Sequence, residues 1–211
     1  PAAKEGAIFF FFWIDEFPET GMDSVNLSLD FGYTSDPSVL TRVGVNVHSK
    51  DAFMEALTYR ATKDVDTLFD LISPQIEKEI ARRKKEAGWD IDKSGKEVEG
   101  LEIAQVVIAC DSADRYKDIQ FVRDLNSISL QRGLGWQFVK VKKPSITVRI
   151  ALMHRFRLHV VRDVNVQREA QNYCYQVIEG RQTNIPIDNF NHFWDSVGYC
   201  FWYFYRWLIN I

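Results

Sequence analysis

The feature that most restricts how this chain can fold is the run Ser145 to Val161, SITVRIALMHRFRLHVV, which follows Pro144. Ile146, Val148, Ile150, Leu152, Phe156, Leu158 and Val160 take even positions, whereas Arg149, Arg155, Arg157 and His159 take odd ones. A period of two puts successive side chains on opposite faces of a strand. The run is longer than an ordinary strand, so it either bends near Met153-His154 or crosses the whole molecule. Its even face is expected to be core. Its odd face would hold the three arginines and the histidine in one row. Unpaired charge is too costly to bury, so Arg149, Arg155, Arg157 and His159 are candidates for an anion or subunit contact, against the plainer reading of a solvated face paired with local carboxylates.

Other segments are read around that run. Val25, Leu27, Leu29, Phe31 and Tyr33 alternate with polar residues as a half-buried strand, and Val39 to Val47 resume the alternation after the turn Thr34 to Ser38, giving a hairpin. Ser49 can cap a helix from Lys50 to about Thr62. Val65 to Ile72 and then Ile76 and Ile80 have helical spacing around Ser73-Pro74, with Gly88 as the stop. Ile103 to Ala109 reads as a buried strand, and Ile119 to Leu130 as an extended piece broken by Gly133-Leu134-Gly135. Asp163 or Asn165 caps a helix closed by Gly180. The aromatic C-terminus, Phe190 to Trp207, fits both periods.

The length suits one domain with a sizeable core, and a net charge of -3 gives no bulk attraction to nucleic acid, so any anion site must be local. Cys110, Cys174 and Cys200 are an odd count without a CxxC, which argues for reduced thiols in a cytosolic setting. Ala7 to Ile14 is apolar but far too short to span a membrane, and it is followed by Asp15 and Glu16, not by a cleavage site. Residues 1–24 are therefore read as an aromatic arm contacting neighbouring subunits, and residues 25–211 as the core domain. Asp90 to Gly95 imitates half of a calcium loop, but Leu101 stands where the bidentate acid belongs, so a turn is the better reading. His48, His154, His159 and His192 lack zinc-ligand spacing, and no cysteine has a nucleophile signature. No catalytic or metal site is assigned.

Four short stretches occur in an order that resembles the cypovirus polyhedrins, the proteins that crystallise around virus particles in infected insect cells. They are Tyr33-Thr34-Ser35-Asp36-Pro37-Ser38-Val39-Leu40, Asn126-Ser127-Ile128-Ser129-Leu130, His159-Val160-Val161-Arg162-Asp163-Val164 with Tyr173-Cys174, and Pro186-Ile187-Asp188 with Asn191-His192. The resemblance implies an α+β fold, an antiparallel β-sandwich core with flanking helices in a single domain. It also implies a non-enzymatic structural protein that forms homotrimers and a crystal lattice in occlusion bodies of the host cytoplasm. Such a protein would encase virions, carry no required cofactor, accommodate a bound nucleotide, avoid membranes and dissolve in alkali. Tyr199, Tyr203 and Tyr205 are the candidate alkaline switch, acting at about pH 10. The alternative is a cytosolic nucleotide- or anion-binding enzyme using the Arg149, Arg155 and Arg157 face.

Overall fold

The computed structural model describes residues 6–32, 36–86, 106–111, 116–142 and 144–210. In chain order the elements are β1 (Phe11–Ile14), β2 (Ser24–Asp30), β3 (Ser38–Asn46), β4 (Asp51–Arg60), α1 (Val65–Glu86), β5 (Val106–Cys110), α2 (Tyr116–Gln131) and β6 (Trp136–Lys140). There follow α3 (Ile146–Met153), β7 (Arg157–Val161), α4 (Val164–Asn172), β8 (Tyr175–Ile178), β9 (Arg181–Pro186), α5 (His192–Tyr205) and a 3-10 turn over Arg206–Asn210. Seven strands make one sheet in the order β1-β7-β4-β3-β2-β5-β6, and β8 and β9 form a separate hairpin. The pairs β1·β7, β7·β4, β2·β5 and β5·β6 are parallel, and β2·β3 and β3·β4 antiparallel, so among the described strands of the large sheet β3 alone runs against the rest.

Strand parity decides what covers each face. Leu27, Leu29, Leu40, Ile108, Trp136 and Phe138 point to one side, where Leu68, Phe69, Ile72 and Ile76 of α1 and Val122 and Leu125 of α2 close over them. Val39, Val43, Val45, Met54, Leu158 and Val160 point to the other, against Ile150 of α3, Val166 of α4 and Phe193, Trp194, Val197 and Phe201 of α5. Each such fully buried aliphatic or aromatic side chain contributes roughly 1.5–3 kcal/mol relative to exposure. Among the described residues it is helices, not a second sheet, that cover the two faces of the central strands. The expected antiparallel β-sandwich is therefore replaced by a three-layer α/β arrangement around a mixed, mostly parallel sheet.

Several local expectations are corrected. Ser145 to Val161 does break at Met153-His154, but its first half is helix α3 and only the second is strand. Spacing of three and four brings Ile146, Arg149, Ile150 and Met153 to one side, and that pattern wins over the alternation. The segment 50–62 is strand β4, not helix. Its register shifts opposite Leu40 and Thr41, so Leu57 is skipped, and this extra residue scrambles the period of two. The segment 119–130 is helix α2, with Val122, Leu125 and Ser129 buried, and Gly133 at φ 67 ends it in a left-handed turn. Gly180 belongs to the β8–β9 turn and not to the end of α4. Helix α1 continues through Ser73 and Pro74 as one 22-residue element.

The edges of the sheet are managed by side chains. Asn126 of α2 pairs with the outer edge of β6, donating to Phe138 O at 2.8 Å and accepting from Phe138 N at 2.9 Å, while Ser129 Oγ donates to Trp136 O at 3.0 Å. At the other edge β1 pairs with β7, Ile8 and Phe9 enter the core, and Phe9 stacks on Trp194 with ring centroids 4.3 Å apart. The aromatic arm thus packs on its own chain, with Phe10 and Phe12 exposed. Opposite, buried Glu79 gathers Arg42, Arg82 and Arg83 beneath α1. The three cysteines are unpaired. Among the described residues no helix is long and apolar enough to cross a membrane. The Asp90 to Gly95 turn and residues 33–35 of the first hairpin lie outside the described residues.

Candidate active site

Two apolar strands end in aspartate at the same level of the sheet. Asp30 closes β2, and Asp111 follows β5 directly. Leu29 is in register with Cys110, and Asp111 N donates to Leu29 O at 3.1 Å, so Asp30 and Asp111 stand side by side. The same parity turns both toward the face covered by α5. Helix α5 is held on this face by a buried hydroxyl chain, Ser28 Oγ to Thr41 Oγ1 at 2.7 Å and Thr41 Oγ1 to Ser196 Oγ at 2.9 Å. At its far end Tyr205 Oη donates to Val43 O at 3.3 Å. This orientation brings the first turns of α5, with His192, Asp195 and Tyr199, over the strand ends.

Electrostatics at this point are dominated by negative charge taken out of water. Burial pushes Asp30 up to about 7; Asp195 and Asp111 add repulsion, while the hydrogen bond from His192 opposes the rise. Asp30 Oδ2 lies 3.0 Å from His192 Nδ1, and its Oδ1 accepts from Tyr199 Oη at 3.1 Å. Asp195 accepts from Arg149 Nη1 at 3.0 Å through Oδ1 and from Asn191 Nδ2 at 3.3 Å through Oδ2. Burial disfavours the His192 cation, but the bond to Asp30 outweighs it and the pKa ends raised. Burial, then the nearby Asp30, drives the Tyr199 phenol well above its ordinary value.

Glu169 of α4 fixes the start of α5. Its carboxylate accepts from Phe193 N at 3.0 and 3.2 Å and from Tyr59 Oη at 2.6 Å, which serves as a cap borrowed from another element. Burial raises Glu169 to about 6 despite these donors. A raised carboxyl pKa stabilises the fold below the unfolded value and loses that contribution as pH climbs through the folded value. Wild type should therefore lose about 2 kcal/mol between pH 4.5 and 7.5 through this group. Glu169→Gln should flatten that part of the curve in urea titrations at several pH values; an identical pH slope in the variant would exclude Glu169 as the source.

Neither protein-family models nor curated protein sequences match this chain. Solved structures do. The nuclease domain of the large terminase of bacteriophage SPP1, with bound Mn, matches at 18% identity and a TM-score of 0.55, covering 85% of this chain and 86% of that one. The P22 large terminase nuclease domain matches at 12% identity and 0.56, covering 95% and 93%. A large terminase from a thermophilic bacteriophage matches at 16% identity and 0.53, covering 92% of this chain and 43% of that one. The fold is RNase H-like.

This RNase H-like fold overturns the polyhedrin resemblance, and one of its matched pieces, Asn126 to Leu130, is helix and not the expected extended segment. The expectations that rested on it fall with it, namely the homotrimer and crystal lattice, the virion partner, the occlusion-body location and a purely structural role. The domains that share the fold are nucleases, so the non-enzyme expectation is corrected too. One of these domains holds Mn, so the expected lack of a cofactor is not supported.

The arginine row is dispersed by the break at His154. Arg149 is buried on α3 against Asp195, Arg155 lies in the exposed turn after α3, and Arg157 and His159 on β7 both reach Asp51, at 2.8 and 2.9 Å. Of the tyrosines, Tyr199 touches Asp30, Tyr205 is buried beside β2 and β3, and Tyr203 is half-buried near the C-terminus of α5. Asp30, Asp111 and Asp195 were not selected from the sequence. Their signal there is two apolar strands, LSLD and VVIACD, that each stop on an aspartate.

Carboxylate oxygens are the donors that hard divalent ions select, and a cation would offset the burial and the carboxylate repulsion that raise Asp30, so these residues fit such an ion. Among the described residues no three acidic, histidine or cysteine side chains are gathered closely enough to enclose an ion as they stand. Asp30 and Asp195 are engaged with His192, Tyr199, Arg149 and Asn191 instead. Because β4, β7 and β6 run parallel to β2, the exposed Arg60, Arg162 and Lys140 at their C-terminal ends border the same edge of the sheet. Exposed Arg168 on α4 lies within electrostatic reach of Tyr59, which also feels Asp30.

Proposed function

We propose that this chain is a nuclease domain that hydrolyses phosphodiester bonds of nucleic acid at Asp30, Asp111 and Asp195 with a divalent cation. The observation that carries the reading is the convergence of these carboxylates from β2, β5 and α5, where burial first and then charge crowding raise Asp30. The shared fold with terminase nuclease domains, one holding Mn, supports it. A cation bound there would polarise the phosphoryl oxygens and make its bound water a stronger nucleophile at neutral pH. His192, anchored through Nδ1 on Asp30, leaves its other ring nitrogen to exchange a proton with solvent or leaving group. Arg60, Arg162, Arg168 and Lys140 border the site as contacts for the phosphate backbone, which explains how a chain of net charge -3 can hold a polyanion.

The test is incubation of the purified chain with plasmid DNA, linear DNA and RNA in Mn2+ or Mg2+, with chelator and Asp111→Asn as controls. Cleavage that needs the metal and vanishes in the variant is expected. Absence of cleavage on all three substrates in either metal would overturn the assignment. Raising salt should weaken substrate binding steeply, and Arg60→Gln with Arg168→Gln should reduce that salt dependence.

A further inference from the structure

Arg149 is the least expected member of this site. It reaches in from α3 with its side chain only 6% exposed, donates Nη1 to Asp195 Oδ1 at 3.0 Å and places its guanidinium 5.1 Å from the centre of the Tyr199 ring. Space for it comes from Gly198, where an added Cβ would lie 3.3 Å from Arg149 Cδ and Nη1. Arg149 Nε is buried without a hydrogen-bond partner. A buried guanidinium with an unsatisfied donor is costly, so a fold that only needed α3 packed on α5 would be served better by an apolar side chain.

We propose that Arg149 is a built-in counter-cation that holds Asp195 in the metal-free site and competes with the divalent ion for that carboxylate. This rests on the nuclease reading and adds regulation of the same site: the ion must take Asp195 from a fixed positive charge, so wild-type affinity is set lower than the carboxylates alone would give. The neutral form of the competition is easy to mimic. Arg149→Met keeps the length and apolar stem but removes the charge, whereas Arg149→Lys keeps the charge.

Mn2+ binding to the whole chain, followed by calorimetry and by the electron paramagnetic resonance of free Mn2+, separates this role from simple support. Arg149→Met should bind Mn2+ at least about tenfold more tightly than wild type, because a unit charge within a few ångströms of a divalent ion is removed from a shielded site. Arg149→Lys should stay near wild type. The metal-free Arg149→Met protein should melt lower, since half-buried Asp195 loses its guanidinium counter-charge, and should regain more melting temperature from Mn2+ than wild type does. Equal or weaker Mn2+ binding in a folded Arg149→Met protein would overturn the proposal while leaving the nuclease reading intact. Failure of every variant, wild type included, to bind Mn2+ would overturn both.

Discussion

Asparagine in place of Asp30 should abolish cleavage, by roughly 10^3-fold or more, and at the same time make the metal-free protein more stable. The two effects have one cause. Asp30 is 4% exposed, its neighbours Asp111 and Asp195 share its sign, and burial is the largest influence on its ionisation. Asparagine keeps the shape and can still accept from Tyr199 Oη or His192, but it brings no charge to crowd the others. A gain on the order of 2 kcal/mol in urea unfolding at pH 8 is expected. Addition of Mn2+ should raise the melting temperature of wild type and leave Asp30→Asn almost unmoved, since binding stabilises only a state that binds. A variant that is inactive and also less stable than wild type would mark Asp30 as a structural residue, whatever its position.

The trade between stability and charge explains which parts of this fold can be read from sequence. The β2–β3 hairpin is legible because Val25, Leu27 and Leu29 alternate without interruption and a proline turn follows. The same alternation misleads about its polar side. Ser28 and Asp30 suggest a face open to water, yet both are buried, because Ser196 reaches the hydroxyls of Thr41 and Ser28 and because His192 and Tyr199 satisfy the carboxylate. Those partners lie far away in the chain, at separations of 155, 162 and 169 residues, where no local period reaches. Strand β4 is hidden by its bulge at Leu57, and α2 by Phe121 and Leu125, whose spacing of four fits both a strand face and a helix face. Arg149 falls on the polar side of a false strand, which is why its true position beside Asp195 could not be anticipated. Asp163 shows the opposite case: its cap bonds to Asn165 N and Val166 N, 2.8 and 3.1 Å, are local, and the helix start is read correctly.

Gly32 should tolerate no side chain, and Gly32→Ala is expected to cost about 3 kcal/mol and to impair cleavage. Two residues beyond Asp30 the chain doubles back, and Gly32 N donates to Ser38 Oγ at 3.1 Å as β3 begins. A Cβ built on Gly32 would fall inside the van der Waals radii of the Asp36 carbonyl oxygen and the Pro37 carbonyl. These are backbone atoms, tied to the first pairing of β3, and cannot swing aside as a side chain can. The displacement must therefore pass either into β3, where Ser38, Val39 and Leu40 are fully buried, or back along β2 into Asp30. Gly44 is a matched control in the same sheet. A Cβ there would meet the flexible end of Met22 and lie 3.0 Å from Phe17 Cζ, both side-chain atoms at the opposite end of β2 from Asp30. Gly44→Ala should cost about 1 kcal/mol and leave cleavage per folded molecule unchanged. Equal losses in the two variants would mean that the Gly32 return has slack, and retention of full activity by a destabilised Gly32→Ala would show that the strain is absorbed by β3 rather than by the aspartate.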